Sequence, residues 1–296
     1  QRNMVKKGIG MDLSIVIVNY NTEKLTLECI ASVYKSHLPY TFEIFVVDNH
    51  SSDNSVEAIK KHYPKVKLIE NQENVGFSKA NNQAIRQAQG RYILLLNSDT
   101  IVKENTLAAM TQYMDNHMDV GAAGCEVVLS TGELDQACHR GFPTPQASFY
   151  YMSGLAKKYP NSPKYNSYHK SYLNMKEIHE IDCLVGAFML VRKEAIDQVG
   201  MLDEEFFMYG EDIDWCYRIK EAGWGIIYNP TVSIIHYKGA SSRKKPFKII
   251  YEFHRAMYLF HKKHYAKKYS IFVNYIVYAG IFAKLSMELV KNKMKK

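Results

Sequence analysis

Cysteine is scarce in this chain of 296 residues, and none of it is arranged for pairing. Cys29, Cys125, Cys138, Cys183 and Cys216 are five in number, scattered and without a CxxC spacing. That argues against a disulfide framework and a thiolate zinc site, and fits a reducing cytosol. Long apolar runs are missing too. The cleanest, Ile271 to Ala283, contains Asn274 and stops at Lys284, short of the roughly 20 apolar residues that cross a bilayer. The opening QRNMVKKGIG lacks the apolar core of a secretory signal, so residues 1–11 read as a leader or an expression remnant ahead of the fold. Internal repeats and low-complexity tracts are absent. What is there is an ordinary globular composition, 47% hydrophobic and 23% charged, enough for one large domain with an appended unit.

Acids run short in one place. Against 38 Lys and Arg stand 30 Asp and Glu, a formal charge of +8, and the excess lies late. From Lys238 onward Arg243, Lys244, Lys245, Lys248, Arg255, Lys262, Lys263, Lys267, Lys268 and a terminal KNKMKK face only Glu252 and Glu288. A basic segment attracts nucleic acid, an anionic membrane surface or a nucleotide. Nucleic acid is not expected, because these cations accompany no known reading element and the acids at the strand ends would repel phosphate without a metal.

Hydrophobic patterning sets the rest. LSIVIVNY (13–20) is a buried-strand run followed by a helical pattern from Asn21, a plausible N-cap, to about Ser36. FEIFVVD (42–48) leads to a helix capped by Asp53 or Asn54. KVKLIEN (65–71), FSKANNQAIRQAQ closed by Gly90, and RYILLLNSD (91–99) repeat the alternation. Apolar strands alternating with helices predict an α/β, doubly wound, mostly parallel sheet. A helix over about Glu104 to His117 and a strand in VGAAGCEVVL (120–129) continue it, before an irregular stretch from Gly141 to about Lys176 that suits a binding loop. Further elements are IDCLVGAFMLVRK (181–193), a helix through Trp215 and Arg218, GIIYNPTVSIIHY (225–237), and two C-terminal helices. In the second of these Ile271, Tyr275, Tyr278, Phe282, Leu285 and Leu289 form one apolar seam.

Ligands of such sheets bind beyond the carboxyl ends of the strands, where VNYN (18–21), Asp48, Asn71 and the NSD of 97–99 lie. Each has two readings. Asp48 accepts a hydrogen bond from a nucleotide base or ribose, or forms an Asx turn. Asp99 holds a divalent metal, or Ser98 or Asp99 caps the next helix. His236 ends the last core strand before YKGASSRKK, a basic Gly- and Ser-containing loop able to wrap a diphosphate, or is a satisfied structural histidine. FFMYGEDIDW (206–215) sets Glu211, Asp212 and Asp214 among aromatics. It is either a helix start favoured by the macrodipole or a general base kept from bulk water, with Asp214 spaced to pair with Arg218.

Taken in order, SIVIVNYN (14–21), VVDNHSSD (46–53), NQENVGFSKANN (71–82), LLLNSD (94–99), FFMYGEDIDWCYR (206–218) and HYKGAS (236–241) resemble the GT-A glycosyltransferases of family 2. Within them they are most similar to the rhamnosyltransferase-like group of bacterial surface polysaccharide synthesis. The resemblance spans about residues 12–242, a GT-A catalytic domain, and leaves 243–296 as basic amphipathic helices. It implies that Val18, Asn19, Tyr20, Asn21 and Asp48 hold the nucleoside and that Gly76, Asn81 and Ser98 belong to the donor site. It implies further that Asp99 and His236 bind Mn or Mg, that Ser241 and Arg243 approach the diphosphate, and that Asp212 is the base with Glu211 beside it. One departure stands out: the DxD of many relatives reads NSD here, so Asn97 brings no charge.

The expected activity is inverting transfer of a sugar, L-rhamnose from dTDP-rhamnose first, to a glycan or lipid-linked glycan hydroxyl at the inner face of a bacterial membrane. A UDP-sugar donor and a non-catalytic nucleotide-sugar binder are the alternatives. A sugar nucleotidyltransferase would want a Gly-rich basic loop after the first strand, and VNYNTEK has none. The C-terminal helices dock on an anionic membrane surface, on the core or on a second subunit.

Overall fold

In the computed structural model, which describes residues 10–237 and 247–294, the apolar runs fold as strands β1 (Leu13–Asn19), β2 (Phe42–Asp48), β3 (Lys67–Glu70) and β4 (Tyr92–Leu96). Helices α1 (Glu23–Lys35), α2 (Ser55–His62) and α3 (Phe77–Ile85) alternate with them. Then come β5 (Thr100–Val102), α4 (Thr106–Asn116), β6 (Val120–Leu129), α5 (Pro145–Met152), α6 (Leu155–Lys158), β7 (His179–Glu180), β8 (Phe188–Arg192), α7 (Lys193–Val199), α8 (Glu211–Glu221) and β9 (Gly225–His236).

Among the described residues these strands form one sheet ordered β3-β2-β1-β4-β8-β6-β9-β5, with β7 on β9. Neighbours β3, β2, β1 and β4 are parallel, whereas β8 runs against both β4 and β6. Because β8 reverses twice, β6 and its parallel neighbour β9 point the same way as β1. Only β5, β7 and β8 oppose that direction, so the expected mostly parallel winding holds with an antiparallel insertion. The carboxyl ends of β1, β2, β4, β6 and β9 therefore share one edge. The chain winds outward from β1 to β3 and returns to β4 on the other side, which makes the β1/β4 boundary the switch point where a crevice opens.

Several local expectations are corrected. Asn21 does not cap α1: it takes a left-handed φ of 54°, Thr22 is the N-cap, and the Asn21 side chain reaches across to Ser52. The β4 strand is followed by β5, not directly by a helix, so neither Ser98 nor Asp99 is a helix cap. The irregular stretch after Gly141 contains α5 and α6. All five cysteines are buried and free.

The last elements are α9 (Phe247–Phe260), a π-helical turn (His261–Tyr265) and α10 (Ile271–Met294). Helix α9 packs on the core: Ala256, Phe260 and Tyr265 cluster with Phe206 and Tyr217. The predicted single seam of α10 is split, since Tyr278 meets Tyr258 of α9 while Ile271, Tyr275 and Phe282 face outward.

Candidate active site

Parallel pairing sets Asn19 beside Asp48 at the ends of β1 and β2. Both are buried, and the Asn19 amide nitrogen donates to Asp48 Oδ1 (2.6 Å) and to Ser51 Oγ (3.0 Å). Its oxygen accepts from the Thr22 and Thr26 hydroxyls at 2.8 and 2.6 Å. Ser51 N–H donates to Asp48 Oδ2 at 2.9 Å, so the Asx turn is present. A carboxylate has about four lone-pair sites and these bonds use two, so the turn leaves Asp48 able to accept further hydrogen bonds. With every polar atom of its amide engaged, Asn19 positions Asp48 instead of presenting its own side chain. Val18 is half-buried beside it, and Tyr20 stands exposed at the mouth. Across the switch point the Ser98 hydroxyl lies 3.1 Å from that of Thr22, so the β1 and β4 ends meet where a nucleotide would enter.

Gly76 precedes α3 with φ 88°, and a Cβ there would fall 2.6 Å from the Phe207 carbonyl oxygen. Only glycine allows this approach, through which the Phe77 N–H donates to Phe207 O and ties the donor-side loop to the acid-bearing segment. Asn81 is buried one turn into α3, donating to Phe77 O while its amide oxygen has no hydrogen-bond partner. Its neighbour Asn82 holds the backbone of Leu202 from both sides, at 2.8 and 3.1 Å. Much of the asparagine in this region is thus a fastening network.

The antiparallel β5–β9 ladder, which pairs Thr100 with His236, brings Asp99 Oδ1 to 3.1 Å from His236 Nε2. Asp135, in the loop after β6, lies 3.8 Å from the other ring nitrogen. Burial disfavours an imidazolium, but the two carboxylates outweigh it and push the His236 pKa up to about 9. A hard oxygen and an imidazole nitrogen side by side are a donor pair that Mn or Mg accepts, and a carboxylate behind the imidazole is the arrangement that orients a metal-binding ring. Among the described residues no cluster of three such side chains exists, so an ion here would need oxygens from its nucleotide. Ser241 and Arg243 lie outside the described residues.

Helix α8 opens after Gly210 with Glu211, Asp212 and Asp214 in its first turn, as the macrodipole favours. Their surroundings separate them. Asp214, wholly buried, pairs with Arg218 (2.8 Å), Lys263 (2.8 Å) and His264 (2.7 Å); burial opposes its charge, but these partners hold its pKa near 2. Asp212 is bound through Oδ2 to the half-buried Arg140 at 2.7 Å. Glu211 is buried, its Oε2 without a hydrogen-bond partner, and burial together with the charge of Asp212 pushes its pKa up. One turn therefore holds a carboxylate paired with arginine and a buried, proton-retaining neighbour.

A cleft of about 610 Å³ is lined by Leu129, Glu133, Asp135, His139, Ser171 and Met175, the last two from the irregular stretch. The sequence reading missed Arg140, Asp135 and Ser51. Ser51 sits within VVDNHSSD and an Asx spacing marks it. Arg140 and Asp135 reach the site from the loop after β6, with no periodicity to flag them.

The family model described as Glycosyl transferase family 2 matches residues 14–200. An N-acetylglucosaminyl-diphospho-decaprenol L-rhamnosyltransferase of Mycobacterium tuberculosis (strain CDC 1551 / Oshkosh) is 25% identical over 73% of this chain and 73% of its own. Rhamnosyltransferase WbbL of Escherichia coli (strain K12) is 29% identical over 77% and 84%. Among solved structures, S. aureus TarS 1–349 in complex with UDP-GlcNAc superposes with a TM-score of 0.61 at 19% identity, covering 92% of this chain and 72% of that one.

Proposed function

This chain belongs to glycosyl transferase family 2, and from that premise we propose that it moves L-rhamnose from dTDP-rhamnose, with inversion, onto a hydroxyl of a growing lipid-linked surface glycan at the inner face of a bacterial membrane. That it is a glycosyltransferase follows from the family; sugar and acceptor are our reading, supported by the names of the two bacterial relatives.

The observation that carries the mechanism is the division of labour at the start of α8. Asp212, paired with Arg140, takes the proton of the acceptor hydroxyl as its oxygen attacks the anomeric carbon. Glu211, unpartnered and proton-retaining, does not compete for that role. Asn19 and Ser51 hold the Asp48 carboxylate for the base or ribose of the donor. Asp99 and His236 would hold a divalent ion, which when bound would supply positive charge at the diphosphate leaving group.

A UDP-sugar donor is the second reading, favoured by the superposition on a UDP-GlcNAc complex and by the shared hydrogen-bonding edge of uracil and thymine, which Asp48 cannot tell apart. A hydrolysis and transfer assay over dTDP-rhamnose and a panel of UDP-sugars, with and without Mn, tests both. Turnover of dTDP-rhamnose alone is expected. Preference for a UDP-sugar replaces the first reading, and no binding or turnover of any donor removes both.

A further inference from the structure

Helix α10 is built inside out. Its amide and carboxylate side chains face the protein: the Asn274 amide oxygen accepts from His261 Nε2 at 2.7 Å and its nitrogen donates to Ala266 O, Glu288 lies 3.9 Å from buried His254, and Asn292 is buried. Its outward face is apolar. Phe272, Tyr275, Ile276 and Phe282 are 72, 68, 58 and 70% exposed, and Ile271, Met287 and Val290 extend the same strip. At about 1.5 Å per residue the helix is ~36 Å long, so the strip far exceeds the scattered apolar residues of an ordinary surface.

Cations frame this face at both ends. Lys262 and Lys267 precede it and Lys291 and Lys293 close it, none with a carboxylate within ion-pair reach among the described residues. The described C-terminal residues carry two acids, Glu252 and Glu288, and both turn inward to Arg255 and His254. An exposed apolar strip bounded by free lysines matches the interface of an anionic bilayer in both chemistry and charge.

We propose that α10 lies in the plane of an anionic lipid surface, its outward face sunk among the headgroups and upper acyl chains. The 24-residue helix is long enough and apolar enough to cross a membrane, with a mean hydropathy of 1.3 over its best window. Its contacts decide against crossing: Tyr278 and Glu288 engage α9 and Asn274 the π-helical turn after it, and this pair of elements is itself pinned to the catalytic core by Phe260, Lys263 and His264. A spanning α10 would have to abandon α9. The in-plane helix instead brings the site to a lipid-linked acceptor. The inference rests on the C-terminal helices alone, so its failure leaves the catalytic reading intact.

The test uses the full chain, with vesicles of phosphatidylcholine alone or mixed with phosphatidylglycerol, read by co-sedimentation and by light-scattering mass. Binding to the phosphatidylglycerol vesicles, weakened by salt and released by alkaline carbonate, is expected. The double variant Phe272→Glu with Phe282→Glu should partition roughly tenfold less or weaker still. Its circular dichroism and melting should be unchanged, because the residues replaced make no core contact. Three results would overturn the proposal: undiminished partitioning of the double variant, retention after carbonate extraction, which means spanning, or a dimer without vesicle binding that the double variant dissociates, which means the face joins two copies.

Discussion

At the ends of β1 and β2 the polar groups are matched before any ligand arrives: one amide, Asn19, makes four hydrogen bonds and Asp48 receives two. At the start of α8 three acids within four residues are treated unequally: among the described residues three cations pair with Asp214, one with Asp212 and none with Glu211. The first region holds a shape, as a binding site should, because preorganised groups lose little on binding. The second gives three neighbouring carboxylates different partners and different burial, and such unequal environments are what acid–base sites are built from.

The contrast predicts different consequences for substitutions two residues apart. Asp212→Asn should lower transfer by about 10²- to 10⁴-fold while calorimetric donor affinity stays nearly constant; retained turnover would move the base elsewhere. Arg140→Ala leaves that buried carboxylate without its cation, so a stability loss on the order of 3 kcal/mol is expected in urea unfolding. Adding Asp212→Ala to Arg140→Ala should recover part of it, and additive losses would refute the pairing.

Asp214 tests the structural side. Its folded pKa near 2 lies below the ordinary 3.8, so its contribution is fully present above about pH 4 and is lost as pH falls through 2. The shift corresponds to roughly 2.5 kcal/mol, and Asp214→Asn should remove about that much and flatten the acid limb of the stability curve. Since Lys263 and His264 come from beyond α9, proteolysis of the C-terminal helices should quicken in that variant. The smallest effect falls on the binding side: Asn19→Ala should weaken donor affinity about tenfold with modest change in turnover at saturation, because it loosens Asp48 without touching the base.

The legibility of these regions in the sequence differs for a physical reason. Strand ends are readable, because buried β-branched runs end abruptly in polar residues, and VNYN, Asp48 and NSD lay where expected. The i, i+4 spacing foretold the Asp214–Arg218 pair. Arg140 and Asp135 were illegible: they reach Asp212 and His236 across 72 and about a hundred intervening positions from a loop without periodicity. Asn21 misled because its side chain bonds equally well to a helix start or to a neighbouring loop, and the crossing to Ser52 is a tertiary choice.

Local chemistry along the chain by itself determined the alternation of strands and helices, the shared edge of polar strand ends, and the presence of carboxylates among aromatics at 206–215. These depend on periodicity and residue type, which neighbours in sequence decide. Only the tertiary structure decided how each of these acids is partnered, since pairing partners and burial come from distant segments. It alone decided that α10 turns its polar side in and its apolar side out, because a helix with residues of both kinds on several faces is oriented by the surface it packs against.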